Sequence, residues 1–285
     1  MKTSTINELE ATSTDGSKLR VTLEPPTRTS WRNWPVAALL TALVVAHIVA
    51  FQQTEFSLTG LVDGSGGMVR FLSEALPPNL NWEQVLWPGI QASGITLWIG
   101  LLGTTLSIPT SGILAVWASR TTSPHPIVYQ LSRSILSFFR AVPDIVFALI
   151  FVTAVGLGPF AGVLALICHN TGVMGKLWAE AIEDIDPGPS QALSTVGANR
   201  NQIVANATIP QVSASMLGLL LYRFDVNVRS SLVLGLVGAG GIGLLINQSI
   251  KSFQFDAMLT HILIVLVMVI AVDLFSSAIR KRLAA

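Results

Sequence analysis

The chain has 285 residues, of which 51% are hydrophobic and 12% charged, with a mean hydropathy of +0.62. Soluble domains carry about 25% charged residues, so a soluble fold is excluded and the bilayer is the expected solvent. A net charge of +1 gives no reason to expect nucleic acid, and the single cysteine, Cys168, excludes a disulfide within the chain.

The first 34 residues are a polar tail rich in Ser and Thr, carrying Lys2, Lys18, Arg20, Arg28 and Arg32. The tail is longer than the basic region of a secretory signal, and Phe51-Gln52-Gln53 follows the first apolar run where a cleavage site would need small residues. An uncleaved first span is therefore expected. A span needs about 20 mostly apolar residues, and six runs qualify: 35–51, 94–117, 135–156, 160–175, 212–236 and 257–279. The predicted fold is an all-α membrane protein of about six transmembrane helices, with a transmembrane domain over 35–285.

Between the first two spans lies an outer segment, 52–89. Met68, Phe71, Leu72, Ala75 and Leu76 recur at helical spacing until Pro77-Pro78, and Trp82 and Trp87 suit a membrane interface. The segment reads either as an interfacial helix capping the bundle or as a gate or docking surface for an outer partner. In the third span Arg140 and Asp144 are four residues apart and could pair, while Pro143 between them should disturb the helix. In the fourth, His169-Asn170 reads as a hydrogen-bonded packing pair.

The interval 176–210 is polar and punctuated by turns. Asp186-Pro187-Gly188-Pro189 should end the incoming helix. Ser190 could cap a short helix to Val196, Gly197 could turn with positive φ, and Asn199 could cap a second helix carrying Ile203, Val204 and Ala207. Pro210 is expected to close that helix before the next span. The product would be a compact knob.

The fifth span carries Arg223, Asp225, Asn227 and Arg229 near membrane mid-depth, where ionisable groups face a cavity or a partner. Asp225 and Arg229 fall on one helical face, Arg223 and Asn227 on another. Two readings stay open: one network holding helices together, or a path in which Arg223 offers its fork of donors to an oxyanion. The run Gly238-Ala239-Gly240-Gly241-Ile242-Gly243 matches a dinucleotide fingerprint, but that needs a βαβ unit. The glycines are expected to allow a bend, close packing or a hinge instead. No Gly-x-x-x-x-Gly-Lys-Ser/Thr motif occurs, and the four histidines lack metal-ligand spacing. The chain ends in Arg280-Lys281-Arg282 before two alanines. With Arg120, Arg133, Lys176 and Arg200 on one side and only Arg70 and Lys251 on the other, both termini are expected in the cytoplasm.

The spacing Gln191-Ala192-Leu193, three residues, Gly197, nine residues, Ala207-Thr208-Ile209-Pro210 resembles the EAA loop of ABC-importer permeases. In that loop Glu-Ala-Ala precedes Gly and then Ile-x-Leu-Pro at the same intervals. Arg140-Ala141-Val142-Pro143-Asp144, Gly156 to Gly162, Tyr222 to Arg229 and Val237 to Gly243 extend the likeness over 87–282. These segments are similar to the phosphonate ABC-transporter permease family, in which Glu is usual where this chain has Asp144 and Asp225.

The resemblance implies a type I ABC-importer permease (MetI-like) core in a bacterial inner membrane. It implies a second copy of the chain, two or more cytoplasmic ATPase subunits gripping the loop, and an extracytoplasmic phosphonate-binding protein. The chain itself would be non-catalytic and free of cofactor, with ATP and Mg bound by the ATPase. Phosphite, a phosphate analogue or a methionine-like compound are alternative cargoes. Pro143, Asp144, Gly238, Gly240, Gly241 and Gly243 are candidate gate or hinge positions. A secondary transporter driven by ion gradients would not need the EAA spacing. An intramembrane enzyme would need a nucleophile–base pair or a metal set at membrane depth, and none is evident.

Overall fold

The computed structural model describes residues 9–12, 18–21 and 34–283. Lys2, Arg28 and Arg32 of the tail therefore lie outside the described residues. The chain divides into two units, Met1–Ser65 and Gly66–Ala285. In the first, β1 (Leu9–Thr12) pairs antiparallel with β2 (Lys18–Val21), Leu9 opposite Val21. Two strands this short leave too little alternation to read in a sequence. The helix α1 (Trp34–Gln53) follows, 20 residues without a charge. The short α2 (Leu58–Asp63) is capped by Ser57, whose hydroxyl accepts the Gly60 N–H at 3.0 Å.

At the start of the second unit, α3 (Ser65–Ala75) carries the outer helical pattern. Phe71 meets Phe255 edge-on with centroids 5.0 Å apart. Pro77 and Pro78 end it. Asn79 then ties the segment to the last helix by donating to the Asp256 carboxylate at 2.9 Å and accepting from Thr260 at 2.9 Å. The remaining helices are α4 (Trp87–Leu106), α5 (Ile108–Ala118), α6 (Pro126–Ala141), α7 (Asp144–Val155), α8 (Pro159–Glu183), α9 (Gly188–Thr195), α10 (Arg200–Ile203), α11 (Ile209–Leu236), α12 (Ile242–Lys251) and α13 (Phe255–Leu283).

Among the described residues, five helical stretches are long and apolar enough to cross a membrane, and α6 with α7 makes a sixth broken one. These six match the predicted runs in order, but their geometry differs in two places. The third run is not one helix: the chain bends by 84° between α6 and α7. Pro143 lacks an N–H, and Val142 before it is driven to an extended ψ of 120°. In the fifth, Pro210 does not close a helix, because the helical stretch runs unbroken from Arg200 to Leu236.

The device that admits Pro210 is a π-helical turn. Over Val204–Thr208 the hydrogen bonds widen, and the Ile209 N–H reaches back to the Val204 carbonyl. In an α-helix, proline's ring would strike the carbonyl four residues back; widening the preceding turn moves that carbonyl aside. The same solution occurs at Trp82–Leu86, where the Trp87 N–H reaches Trp82 just ahead of Pro88. Helix therefore begins earlier than the expected start at 94.

The central helix is α8, packed against α4, α5, α6, α7 and α11. It runs to Glu183, well past the expected end at 175, because no breaker intervenes before Asp186-Pro187. Small residues let its neighbours come close. A Cβ on Gly172 would sit 2.5 Å from the backbone N of Arg140, so α6 touches α8 backbone to backbone there. Two apolar cores result. One gathers Ile99, Phe147, Ala148, Leu166 and Leu234; the other gathers Ala115, Leu136, Met174, Trp178 and Val212. Between these two sets, α8 buries the polar Asn170 and Thr171, and α11 buries Arg223 and Asn227.

Candidate functional site

The polar layer lies between the two cores. Asn170, at 0% exposure, is about 16 Å along α8, near the middle of a hydrocarbon slab about 30 Å thick. From α11, Arg223 and Asn227 project into the same layer, 8% and 0% exposed. Arg223 Nε donates to Asn170 Oδ1 at 2.9 Å, and Nη2 donates to Asn227 Oδ1 at 3.2 Å. Each amide passes the chain on. Asn170 Nδ2 donates to Ser107 Oγ at 2.5 Å, and Asn227 Nδ2 donates to Thr104 Oγ1 at 2.8 Å. The hydroxyls end on backbone: Thr104 donates to the Gly100 carbonyl and Ser107 to the Thr104 carbonyl, both at 2.7 Å.

All of Arg223's side-chain acceptors are thus neutral amides. Among the described residues no carboxylate lies within 4.0 Å of its guanidinium. A buried cation with no carboxylate in direct contact is costly, and its potential reaches furthest where the dielectric is lowest.

Asp225 and Arg229 are brought together as their spacing predicts, but not with Arg223. They form an i,i+4 ion pair on the face of α11 toward α13, where Asp273 stands 3.9 Å from Arg229. The four residues are therefore two networks rather than one. Asp225's second oxygen, Oδ1, is buried without a hydrogen-bond partner.

The elbow corrects two expectations. Arg140 lies in the last turn of α6 and Asp144 begins α7, so the break takes the i,i+4 register away and no ion pair forms between them. His169 does not pair with Asn170, since adjacent helical residues point about 100° apart. Its Nδ1 lies 3.1 Å from the Val142 carbonyl at the elbow, while Asn170 faces Arg223.

The glycine run forms the turn between α11 and α12. Gly238, Gly240 and Gly241 have φ of +96°, +79° and +74°. A Cβ on Gly240 would lie 2.8 Å from Pro159 N, one on Gly241 would strike Thr96, and one on Gly243 the Leu232 carbonyl. The turn is cinched against α4, the start of α8 and α11, with the Ile242 N–H donating to Thr96 Oγ1 at 2.9 Å.

On the opposite side of the bundle, α9 projects as a knob and buries no residue. Ser190 is not its cap. The helix starts at Gly188, where the Asp186 carboxylate accepts the Gly188 N–H at 3.0 Å, and Pro189 is tolerated in a first turn. Gln191 and Ala192 are exposed and Leu193 half-buried. The end is a Schellman motif: the Ala198 N–H meets the Leu193 carbonyl and the Gly197 N–H the Ser194 carbonyl, both at 3.1 Å. Gly197 supplies the required positive φ, +83°, and nothing among the described residues lies within 4 Å of where its Cβ would be. Asn199 then opens α10 with a reciprocal capping box, Gln202 N–H to Asn199 Oδ1 at 3.0 Å and Asn199 N–H to Gln202 Oε1 at 2.8 Å. Ala207 is buried, and Ile209 and Pro210 are exposed on the next turn.

Sequence reasoning missed Thr104 and Ser107, which bond their own helix and so resemble ordinary helical hydroxyls. Asp273 stands out as the one carboxylate in the run 257–279, but nothing local marks its approach to Arg229.

Residues 107–285 match the family described as the binding-protein-dependent transport system inner membrane component. The chain is 40% identical over 238 residues to the phosphate-import permease protein PhnE of Mycolicibacterium smegmatis, an alignment that covers 84% of this chain and 44% of that protein. To the phosphite transport system permease protein PtxC of Stutzerimonas stutzeri it is 35% identical over 253 residues, covering 88% of this chain and 90% of PtxC. Among solved structures, an inward-facing form of the MetNI methionine ABC transporter aligns with a TM-score of 0.61 at 20% identity, covering 72% of this chain and 99% of the other. That likeness bears on the fold, and its helical core is the one the resemblance implies.

Proposed function

This chain belongs to the family of inner membrane components of binding-protein-dependent transport systems, and from that premise we propose that it carries phosphorus oxyanions, phosphonates foremost, across a bacterial inner membrane. It is the permease of an ABC importer, and the chemistry of hydrolysis belongs to separate subunits. In this reading two copies enclose the pathway. Cytoplasmic ATPases that bind ATP and Mg grip the knob formed by Gln191, Ala192, Leu193 and Gly197 with Ala207, Ile209 and Pro210. An extracytoplasmic protein delivers the cargo. Both termini and the interval 176–210 face the cytoplasm, and 52–89 faces outward. Pro143 with Asp144, and the turn of Gly238, Gly240, Gly241 and Gly243, are the positions where the bundle would flex.

The observation that carries the choice of cargo is Arg223. Its guanidinium is buried at membrane depth, is held in one orientation by Asn170 and Asn227, and has only neutral acceptors. An oxyanion in transit would supply the missing negative charge, and a planar fork of donors suits its paired oxygens. One such group per copy attracts without trapping, as release requires. The named relatives carry phosphate or phosphite, which share this chemistry.

The test is uptake of a labelled phosphonate by Arg223 variants, measured per assembled complex. Arg223→Met is expected to lose about 10- to 100-fold, the worth of a hydrogen bond to a charged group. Arg223→Lys is expected to fall between it and the wild type. Undiminished uptake by Arg223→Met would remove Arg223 from the anion path.

A further inference from the structure

Both ends of the segment that carries α9 are fastened to one turn. Glu183, the last residue of α8, accepts the Arg120 backbone N–H on Oε1 at 2.8 Å. Arg200, the first residue of α10, donates from Nε to the Thr122 carbonyl at 2.9 Å and from Nη2 to the Thr121 carbonyl at 3.4 Å. The interval 184–199 therefore leaves from and returns to Arg120–Thr122. That turn is in its own right fixed to the helices on either side. Thr122 Oγ1 donates to the Val116 carbonyl in the last turns of α5 at 2.6 Å, and Arg120 Nε donates to the Tyr129 hydroxyl on α6 at 3.0 Å. Arg133, one turn further along α6, donates to the same hydroxyl and stands 3.7 Å from Glu183.

From this anchorage α6 runs to the elbow at Pro143, where the chain bends by 84° into α7. Backbone contact at Gly172 leaves α6 no slack against α8. A force on α9 thus has a short stiff route into α6. Without the two clamps, a displacement of α9 would be absorbed by the turns at 184–187 and 196–199, which have no other side-chain bond to the α5–α6 turn among the described residues.

We propose that the turn Arg120–Thr122 is the relay between the ATPase-facing knob and the α6–α7 elbow, with Glu183 and Arg200 as positioning residues that lock the knob to it. This rests on the reading of α9 as the ATPase contact. Neither is one of the residues that define the spacing by which that contact is recognised, and both act through the backbone of the Arg120–Thr122 turn. Polar contacts that stay partly open to water add little to stability, so their expected product is geometry.

The experiment reconstitutes the complex with its ATPase and binding protein in liposomes, and measures cargo moved per ATP hydrolysed. In Arg200→Met and in Glu183→Ala the ratio is expected to fall about tenfold while the ATPase stays bound, the size of effect that coupling residues show. Glu183→Gln keeps an oxygen for the Arg120 N–H and is expected to restore the ratio. Arg200→Lys keeps a donor for the two carbonyls and is expected to restore part of it. A merely structural clamp would lower assembly and leave the ratio unmoved. If Glu183→Ala does not assemble, Arg200→Met carries the test, since Arg200 is exposed. A ratio equal to wild type in Arg200→Met overturns the relay and spares the coupling reading. Failure of the wild-type chain to retain any ATPase overturns both.

Discussion

Arg223 and Arg229 lie six positions apart on α11, and they answer to different physics. Arg223 is enclosed by amides, whereas Arg229 is half-exposed and neutralises Asp225, whose side chain is 5% exposed. Removing Arg229 leaves a carboxylate buried and uncompensated, which costs about 3–5 kcal/mol. Arg229→Met is therefore expected to lower the melting temperature of the detergent-solubilised protein sharply. Asp225→Asn, which leaves only a half-exposed guanidinium, should cost much less. Equal losses from the two would mean that Asp225 is not the buried partner. The charges themselves were legible in the sequence, because an ionisable residue inside an apolar run stands out. Their i,i+4 pairing was legible too. Arg223's partners were not: Asn170 is contributed by a helix 53 positions away in sequence, and its neighbour His169 offered a local partner that helix geometry rules out.

At the scale of elements, the knob is the best-specified local structure in the chain. Gly197 acts through its backbone freedom and Asn199 through a side chain that caps its own helix, so both roles follow from residue type. Pro143 and Pro210 carry the same sequence signal with opposite outcomes. The first breaks its helix and the second rides on a π turn, and what differs is the hydrogen-bond register of the residues before each proline. Gly197 also separates folding from coupling. Because nothing among the described residues lies within 4 Å of its missing Cβ, Gly197→Ala should cost only the strain of a positive φ, about 1 kcal/mol. Gly197→Trp should still insert and fold, but its bulk would stand where a partner surface must close. The expected result is melting within a few degrees of wild type and loss of cargo-stimulated ATP hydrolysis. Full stimulation in Gly197→Trp would remove the coupling role from this turn.

For the molecule as a whole, hydropathy gave the number and order of the spans, because burial in lipid forces backbone bonds inward and leaves helix as the economical solution. What it missed is the arrangement of polar groups across helices. The layer from Thr104 to Asn227 depends on contacts between α4, α5, α8 and α11 that no local pattern encodes. The same holds for the clamps on Arg120–Thr122: Arg200 counts in the sequence only toward the charge asymmetry of the loops, and nothing local marks Glu183. The central claim is that ATP, not an ion gradient, drives a phosphorus oxyanion through this chain. It is tested most directly by uptake of a labelled phosphonate into proteoliposomes holding the chain, its ATPase and its binding protein, with ATP enclosed and ionophores collapsing every gradient. The account predicts uptake that persists under the ionophores, stops without ATP, and is competed by unlabelled phosphite. Uptake that proceeds without ATP or ATPase and ends when the gradients collapse would contradict it.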